Sequence, residues 1–293
     1  MPDAQPQPTA ARAPFGRRLA AAMADRGPLC AGIDPHPSLL AQWGLDDDVA
    51  GLRRFSLTAL EALGPVAAAV KPQVALFERH GSAGLAVLEE LLAAARGLDV
   101  LSIADAKRGD IGSTMAAYAD AWLGEGSPLA ADSVTLSPYL GYESLRPAID
   151  LAQRTGRGVF VLGLTSNPEG ASVQHVGAQA SVAKRIIEAA GTDNAGDDVV
   201  PGPSAPALGS VGLVIGATVG EALEELGIDL AATRAPVLAP GFGAQGATAA
   251  DMRRTFGGAW EQVLATSSRG ILAAGPDAAG LRAAAEKARD ELA

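Results

Sequence analysis

The sequence predicts a single (β/α)8 TIM barrel preceded by a lead-in helix, and three observations predict it. Short, continuous apolar runs recur along the 293 residues; segments with apolar residues three and four apart lie between them; and polar residues gather at the ends of the runs. Continuous apolar runs suit parallel strands covered on both faces, and strand-helix alternation sustained around the chain favours a closed barrel over an open sheet.

The elements follow in order. Residues 1–13, rich in Pro, Gln and Ala, carry nothing to bury and read as a loose tail, so the barrel domain is expected over 14–293. Phe15, Leu19 and Met23 recur at helical spacing up to Gly27, which supplies a helix-terminating conformation. The candidate strands are Leu29 to Ile33, Val66 to Val70, Val100 to Ile103, Val134 to Leu136, Val159 to Leu164, Val211 to Ile215, Val237 to Ala239 and Val263 to Ala265. Helices are expected between them: one after Ser82 through Leu85, Leu88 and Leu92 to Gly97, another from Thr218 and Glu221 in capping-box spacing to Gly227. The stretch from Gly191 to Leu208, rich in Gly, Pro and Asp, reads as an irregular surface insertion.

Composition narrows the function. Hydrophobic residues make up 48% of the chain, enough for one large core, and the net charge of -10 without a basic block argues against a nucleic-acid surface. Any anion must be bound locally. Cys30 is the only cysteine, which excludes an intramolecular disulfide and makes the reducing cytoplasm the default location. No run approaches the roughly 20 apolar residues of a membrane span, and no signal-peptide apolar region is present, so a soluble protein without membrane association is expected.

Chemistry concentrates in Ser102 to Met115, S-I-A-D-A-K-R-G-D-I-G-S-T-M. On a strand Asp105 and Lys107 project to one side while Ala104 and Ala106 face away. A turn at Gly109 is expected to bring Asp110 back beside Lys107, and a lysine held between two carboxylates is a positioned proton donor. An isolated Asp-x-Lys pair reads equally well as a salt bridge at a strand end. What shifts the reading is that Asp34, Lys71, Ser166, Gln245 and Arg269 also stand at run ends, where barrels of this type build their active sites.

The stretch Pro240-Gly241-Phe242-Gly243-Ala244-Gln245-Gly246 spells G-x-G-x-x-G, but it follows the seventh candidate strand rather than an early one. That position, with Ser268 and Arg269 closing the eighth, suits a monophosphate gripped by backbone N–H groups and a guanidinium better than a dinucleotide. His36, His80 and His175 are scattered and offer no metal set, and no Ser-His-Asp arrangement emerges.

These residues resemble the orotidine 5'-phosphate decarboxylase family, in its longer bacterial (type 2) subgroup, from about Leu29 to Gly275. The signature is Asp105, Lys107, Asp110, Ile111 and Thr114, supported by Val70-Lys71-Pro72-Gln73, Thr135-Leu136-Ser137-Pro138-Tyr139, Thr165-Ser166-Asn167-Pro168 and the glycine loop. The resemblance implies conversion of orotidine 5'-monophosphate to UMP and CO2, the closing step of de novo UMP synthesis, with no metal and no organic cofactor. It implies that Lys107 stabilises the carbanion at C6 and protonates it, that Asp105 crowds the departing carboxylate, and that Lys71 orients Asp105 and contacts the ribose.

By the same resemblance Asp34 binds a ribose hydroxyl, Ser166 meets the pyrimidine, and Gln245 and Arg269 grip the phosphate. Ile111 and Pro240 complete the substrate-binding set, with Ser268 offering a backbone phosphate contact where many relatives have glycine. Asp110 and Thr114 are implied to reach a neighbouring subunit's site, hence a homodimer. Three rivals are weighed beside this reading: a Mg2+-dependent sugar-phosphate decarboxylase of the same superfamily, a non-catalytic nucleotide-phosphate binding barrel, and an NADP oxidoreductase, which fails on the position of the glycine loop.

Overall fold

The computed structural model describes residues 12–196, 206–243 and 246–293. Its strands are β1 (Leu29–Ile33), β2 (Ala69–Pro72), β3 (Leu101–Arg108), β4 (Ser133–Leu136), β5 (Gly158–Leu164), β6 (Val211–Ile215), β7 (Val237–Pro240) and β8 (Val263–Ser267). They close in sequence order into one barrel. Every neighbouring pair is parallel, and closure runs from β1 to β8 through Leu29↔Ala265, Cys30↔Thr266 and Ala31↔Ser267. The strand residues are almost all buried, because helices cover the outside and side chains fill the inside.

The lead-in helix (Phe15–Arg26) stoppers the N-terminal mouth of the barrel. Phe15, Leu19 and Ala20 join an interior cluster with Cys30, Ala69, Ile103, Phe160, Leu238 and Leu264. Phe15 meets Phe160 edge to face, with centroids 5.9 Å apart and planes at 89°. The approach requires glycine: a Cβ on Gly158 would stand 2.3 Å from the Phe15 ring, and one on Gly16 2.0 Å from the Leu208 carbonyl. Burying Phe15 and Leu19 stabilises the closed end by about 1.5–3 kcal/mol each. Arg18 locks the rim through Asp132 Oδ1 at 2.6 Å.

Several elements differ from their sequence expectations. β2 begins at Ala69 rather than Val66, since Val66 and Ala67 donate back to Leu63 and finish the preceding helix's turn. It also extends to Pro72, which places Lys71 within the strand. β3 runs on to Arg108, so the charged segment is itself strand. The helix expected from Thr218 spans Gly220–Glu225 with Val219 at its N-cap and no side-chain cap; the capping box is formed instead by Thr248 and Asp251, ahead of the helix Ala249–Phe256.

The irregular insertion expected from Gly191 starts later. A helix, Val182–Ala195, carries straight through Gly191, where an added Cβ would stand 3.2 Å from Thr233 Cα, so the missing side chain permits the close approach. Buried Asn194 then ties the helix end to β6, accepting from Val211 N–H at 3.0 Å and donating to Val211 O at 2.8 Å. Leu208 is buried in the lower core, and residues 197–205 lie outside the described residues. Of the expected tail, 1–11 lie outside them too, while Arg12 is docked on Glu125 Oε1 and Thr155 O, both at 2.9 Å.

Candidate active site

The C-terminal ends of the strands enclose a cavity of about 610 Å3. β1 delivers Asp34 to it, β2 Lys71, β3 Asp105 and Lys107, and β5 Ser166; β7 contributes Pro240, and β8 Ser268 and Arg269. Asp105 is its electrostatic centre. Oδ2 accepts from Lys71 Nζ at 2.8 Å and Gln73 Nε2 at 3.0 Å, and Oδ1 accepts from Lys107 Nζ at 2.5 Å and Thr135 Oγ1 at 3.0 Å. The side chains of Lys71 and Asp105 are 7% and 9% exposed, that of Lys107 46%. One lysine is a buried anchor; the other faces the cavity.

Burial alone would raise the Asp105 carboxyl, but Lys71, then Lys107, outweigh it and hold the group well below the usual carboxylate range. Burial would lower the Lys71 ammonium, and Asp105 and Asp34 overcome it, so Lys71 stays charged above its ordinary range. Beneath them Cys30 is pushed up to about 12, chiefly by burial, and remains an inert thiol. Three buried oxygens of cavity-lining residues, Asp34 Oδ1, Thr266 Oγ1 and Ser268 Oγ, have no hydrogen-bond partner among the described residues. Gly32 makes this corner possible, since a Cβ there would stand 2.6 Å from Ser268 Cβ.

The expected position of Asp110 is corrected. Among the described residues the ion pair of Lys107 is with Asp105, and Asp110 Oδ1 instead accepts from Ile111 N–H at 2.8 Å. The carboxylate sits between two lysines, rather than the lysine between two carboxylates. Gly109 serves a different purpose from the expected turn: a Cβ there would lie 2.3 Å from Ser137 O, so the glycine lets the chain pass close to the end of β4. The chain then leaves the cavity into the helix Gly112–Leu123, with Ile111 extended at its N-cap. Asp110, Ile111 and Thr114 therefore do not line this chain's cavity, and Ile111 is 62% exposed.

A family model described as "Orotidine 5'-phosphate decarboxylase / HUMPS family" matches residues 27–284. The chain belongs to this family. An orotidine 5'-phosphate decarboxylase of Salinispora arenicola is 57% identical over 275 residues, covering 93% of this chain and 95% of the relative. One of Streptomyces coelicolor is 53% identical over 282 residues, covering 95% and 97%. Among solved structures, Leishmania donovani OMP decarboxylase superposes with a TM-score of 0.73 at 30% identity, covering 95% of this chain and 97% of that one.

In this decarboxylase family member the barrel brings to the site several residues to which the sequence analysis gave no site role, Gln73, Thr135 and Asn167 having entered only as parts of family motifs. Gln73 and Thr135 both bond Asp105, and His36, Asn167 and Phe242 line the cavity. Parity could have found Gln73, two residues beyond Lys71 on the same side, and Thr135 is a hydroxyl within the otherwise apolar end of β4. Gln245 lies outside the described residues. The loop leading to it turns through Gly241 at φ 125° and Gly243 at φ 74°, conformations that favour glycine.

Proposed function

We propose that this chain decarboxylates orotidine 5'-monophosphate to UMP and CO2 by electrostatics and proton transfer from its own side chains. The observation that carries the reading is the Lys71–Asp105–Lys107 chain, buried at Lys71 and Asp105 and open to the cavity at Lys107, with Arg269 lining the same cavity. The bond from C6 to the carboxyl carbon breaks, CO2 departs, and the electron pair stays in the ring plane at C6. Lys107 Nζ stabilises that charge and transfers a proton to C6; water reprotonates the amine. Asp105 stands beside the departing carboxylate and keeps the ammonium aimed.

The remaining assignments extend the reading. Asp34 and Lys71 take the ribose, Ser166 the pyrimidine, and Arg269 with Gln245 the phosphate, while Pro240 and Ser268 shape the phosphate end. Asp34 Oδ1, buried without a partner among the described residues, suits a hydroxyl donor. Phosphate contacts far from C6 hold the reacting end in place, so the grip on phosphate contributes to rate as well as to affinity. Both oxygens of Asp105 already accept from lysines and neutral donors, which disfavours Mg2+ ligation there and the sugar-phosphate alternative with it.

The active form is read as a homodimer in which Asp110, Ile111 and Thr114 serve the neighbouring site. Support comes from the exposure of Ile111 and Thr114 and from the exposed apolar side chains that follow β4, Tyr139 at 80% and Leu140 at 55%. Residues 14–293 act as one barrel domain, and a cytoplasmic location suits the lone thiol. No helix among the described residues is long and apolar enough to cross a membrane. Mixing Lys107→Ala with Asp110→Ala subunits tests the shared site: activity returns if sites are shared, and no recovery in confirmed mixed dimers removes the claim.

A further inference from the structure

β3 and β4 run in register as far as Ala104↔Val134 and pair again at Arg108↔Leu136. Between those points β3 carries Asp105, Ala106 and Lys107, whereas β4 carries Thr135 alone. The extra residues form a bulge at the cavity rim, and a bulge re-aims the side chains on it. Lys107 sits at φ 48°, in the left-handed region that non-glycine residues disfavour. A residue held there persists when its surroundings over-determine it.

Thr135 supplies that constraint. Its buried Oγ1 accepts from the backbone N–H of Lys107 at 2.9 Å and donates to Asp105 Oδ1 at 3.0 Å. One hydroxyl thus ties the strained peptide to the carboxylate that aims the amine. Gln73, the other neutral side-chain donor to Asp105 among the described residues, bonds the opposite oxygen, and its main chain bridges Asp105 rather than Lys107. We infer that Thr135 is a positioning residue for the decarboxylation, its hydroxyl holding the β3 bulge so that Asp105 and Lys107 present one charged pair to the cavity. Valine has nearly the same shape but would remove the partner of the part-buried Lys107 N–H, which favours a different backbone course.

The kinetic part of this inference rests on the decarboxylase reading; the structural part does not. The test compares Thr135→Val and Thr135→Ser by kcat and KM for orotidine 5'-monophosphate and by crystal structures of residues 105–108. The valine variant is expected to lose on the order of 10–100-fold in kcat with KM changed less than about threefold. Its Lys107 should leave the left-handed region, and serine should restore both rate and geometry. Wild-type kcat in the valine variant, a serine variant as impaired as valine, or an unchanged Lys107 backbone would overturn the inference. Should valine prevent folding, Thr135→Ala against Thr135→Ser makes the same comparison. A wild-type protein without turnover would sink the decarboxylase reading, while the crystal comparison would still decide the role of Thr135.

Discussion

Replacing Lys71 with methionine removes the buried cation and keeps the length of its side chain. Lys71 Nζ lies 2.8 Å from Asp105 Oδ2, with both side chains less than a tenth exposed. At an effective dielectric of 20 that separation corresponds to a gross attraction of about 6 kcal/mol, which desolvation largely opposes. Breaking such a pair from one side strands the other charge and costs about 3–5 kcal/mol. Asp105 would keep its neutral donors Gln73 and Thr135 and, as a cation, Lys107, whose half-exposed ammonium compensates weakly. At about 2–4 °C per kcal/mol for a domain approaching this size, melting should fall by on the order of 10 °C.

The pH dependence of that loss distinguishes a stranded carboxylate from simple mispacking. In the native protein the folded pKa of Asp105 is depressed, so its contribution is present above the unfolded value of about 3.9 and is lost as pH falls through the folded value. Without Lys71, burial raises the folded pKa, and protonation relieves the variant as pH falls from 7 toward 4. The raised pKa of Lys71 does not enter, because its contribution is lost only as pH rises through its folded value, above about 10.4. Urea unfolding of both proteins at pH 7 and pH 5 should show the deficit narrowing at the lower pH. An undiminished stability at pH 7, or a deficit that widens on acidification, would refute the reasoning.

Other perturbations separate chemistry from architecture. Lys107→Ala should lower kcat/KM by at least about 1000-fold yet change unfolding free energy by no more than about 1 kcal/mol, because the Lys107 side chain is half exposed and Asp105 keeps Lys71; urea melts with UMP titration check that folding and phosphate binding survive. Arg269→Ala should raise KM by on the order of 10–100-fold with a smaller change in kcat, the loss expected for one charged hydrogen-bond partner, read from steady-state kinetics. Phe15→Ala opens a void at the far mouth of the barrel and should cost about 3–5 kcal/mol by urea unfolding, with kcat intact at low temperature.

Much of the fold was legible because parallel strands in a barrel are buried on both faces and so read as uninterrupted apolar runs. β1 and β6 fall where the runs place them, Leu29–Ile33 and Val211–Ile215. Legibility failed where polar residues enter a strand: β2 and β3 extend through Lys71 and Lys107, since the cavity at the barrel top admits charge that apolar patterning treats as an ending. It failed again at Gly191, where glycine signals close packing against Thr233 rather than a loop.

The site shows the same division. Run ends located Asp34, Lys71, Asp105, Lys107 and Ser166, because in this architecture a strand's C-terminal end is the cavity rim. Partner identity was not legible. Local sequence placed Asp110 beside Lys107, but the carboxylate's second cation comes from the neighbouring strand, through a contact 34 positions away in the chain. Thr135 was hidden for a similar reason: its role depends on a strand mismatch that exists only once β3 and β4 are paired.

The most direct test of the central claim is the absorbance change of orotidine 5'-monophosphate on adding purified wild-type protein or Lys107→Ala, each with and without excess EDTA. Rapid conversion to UMP by the wild type, unchanged by EDTA and absent in Lys107→Ala, is the predicted result. No conversion by folded wild-type protein, conversion that vanishes with EDTA, or full activity in Lys107→Ala would contradict the account.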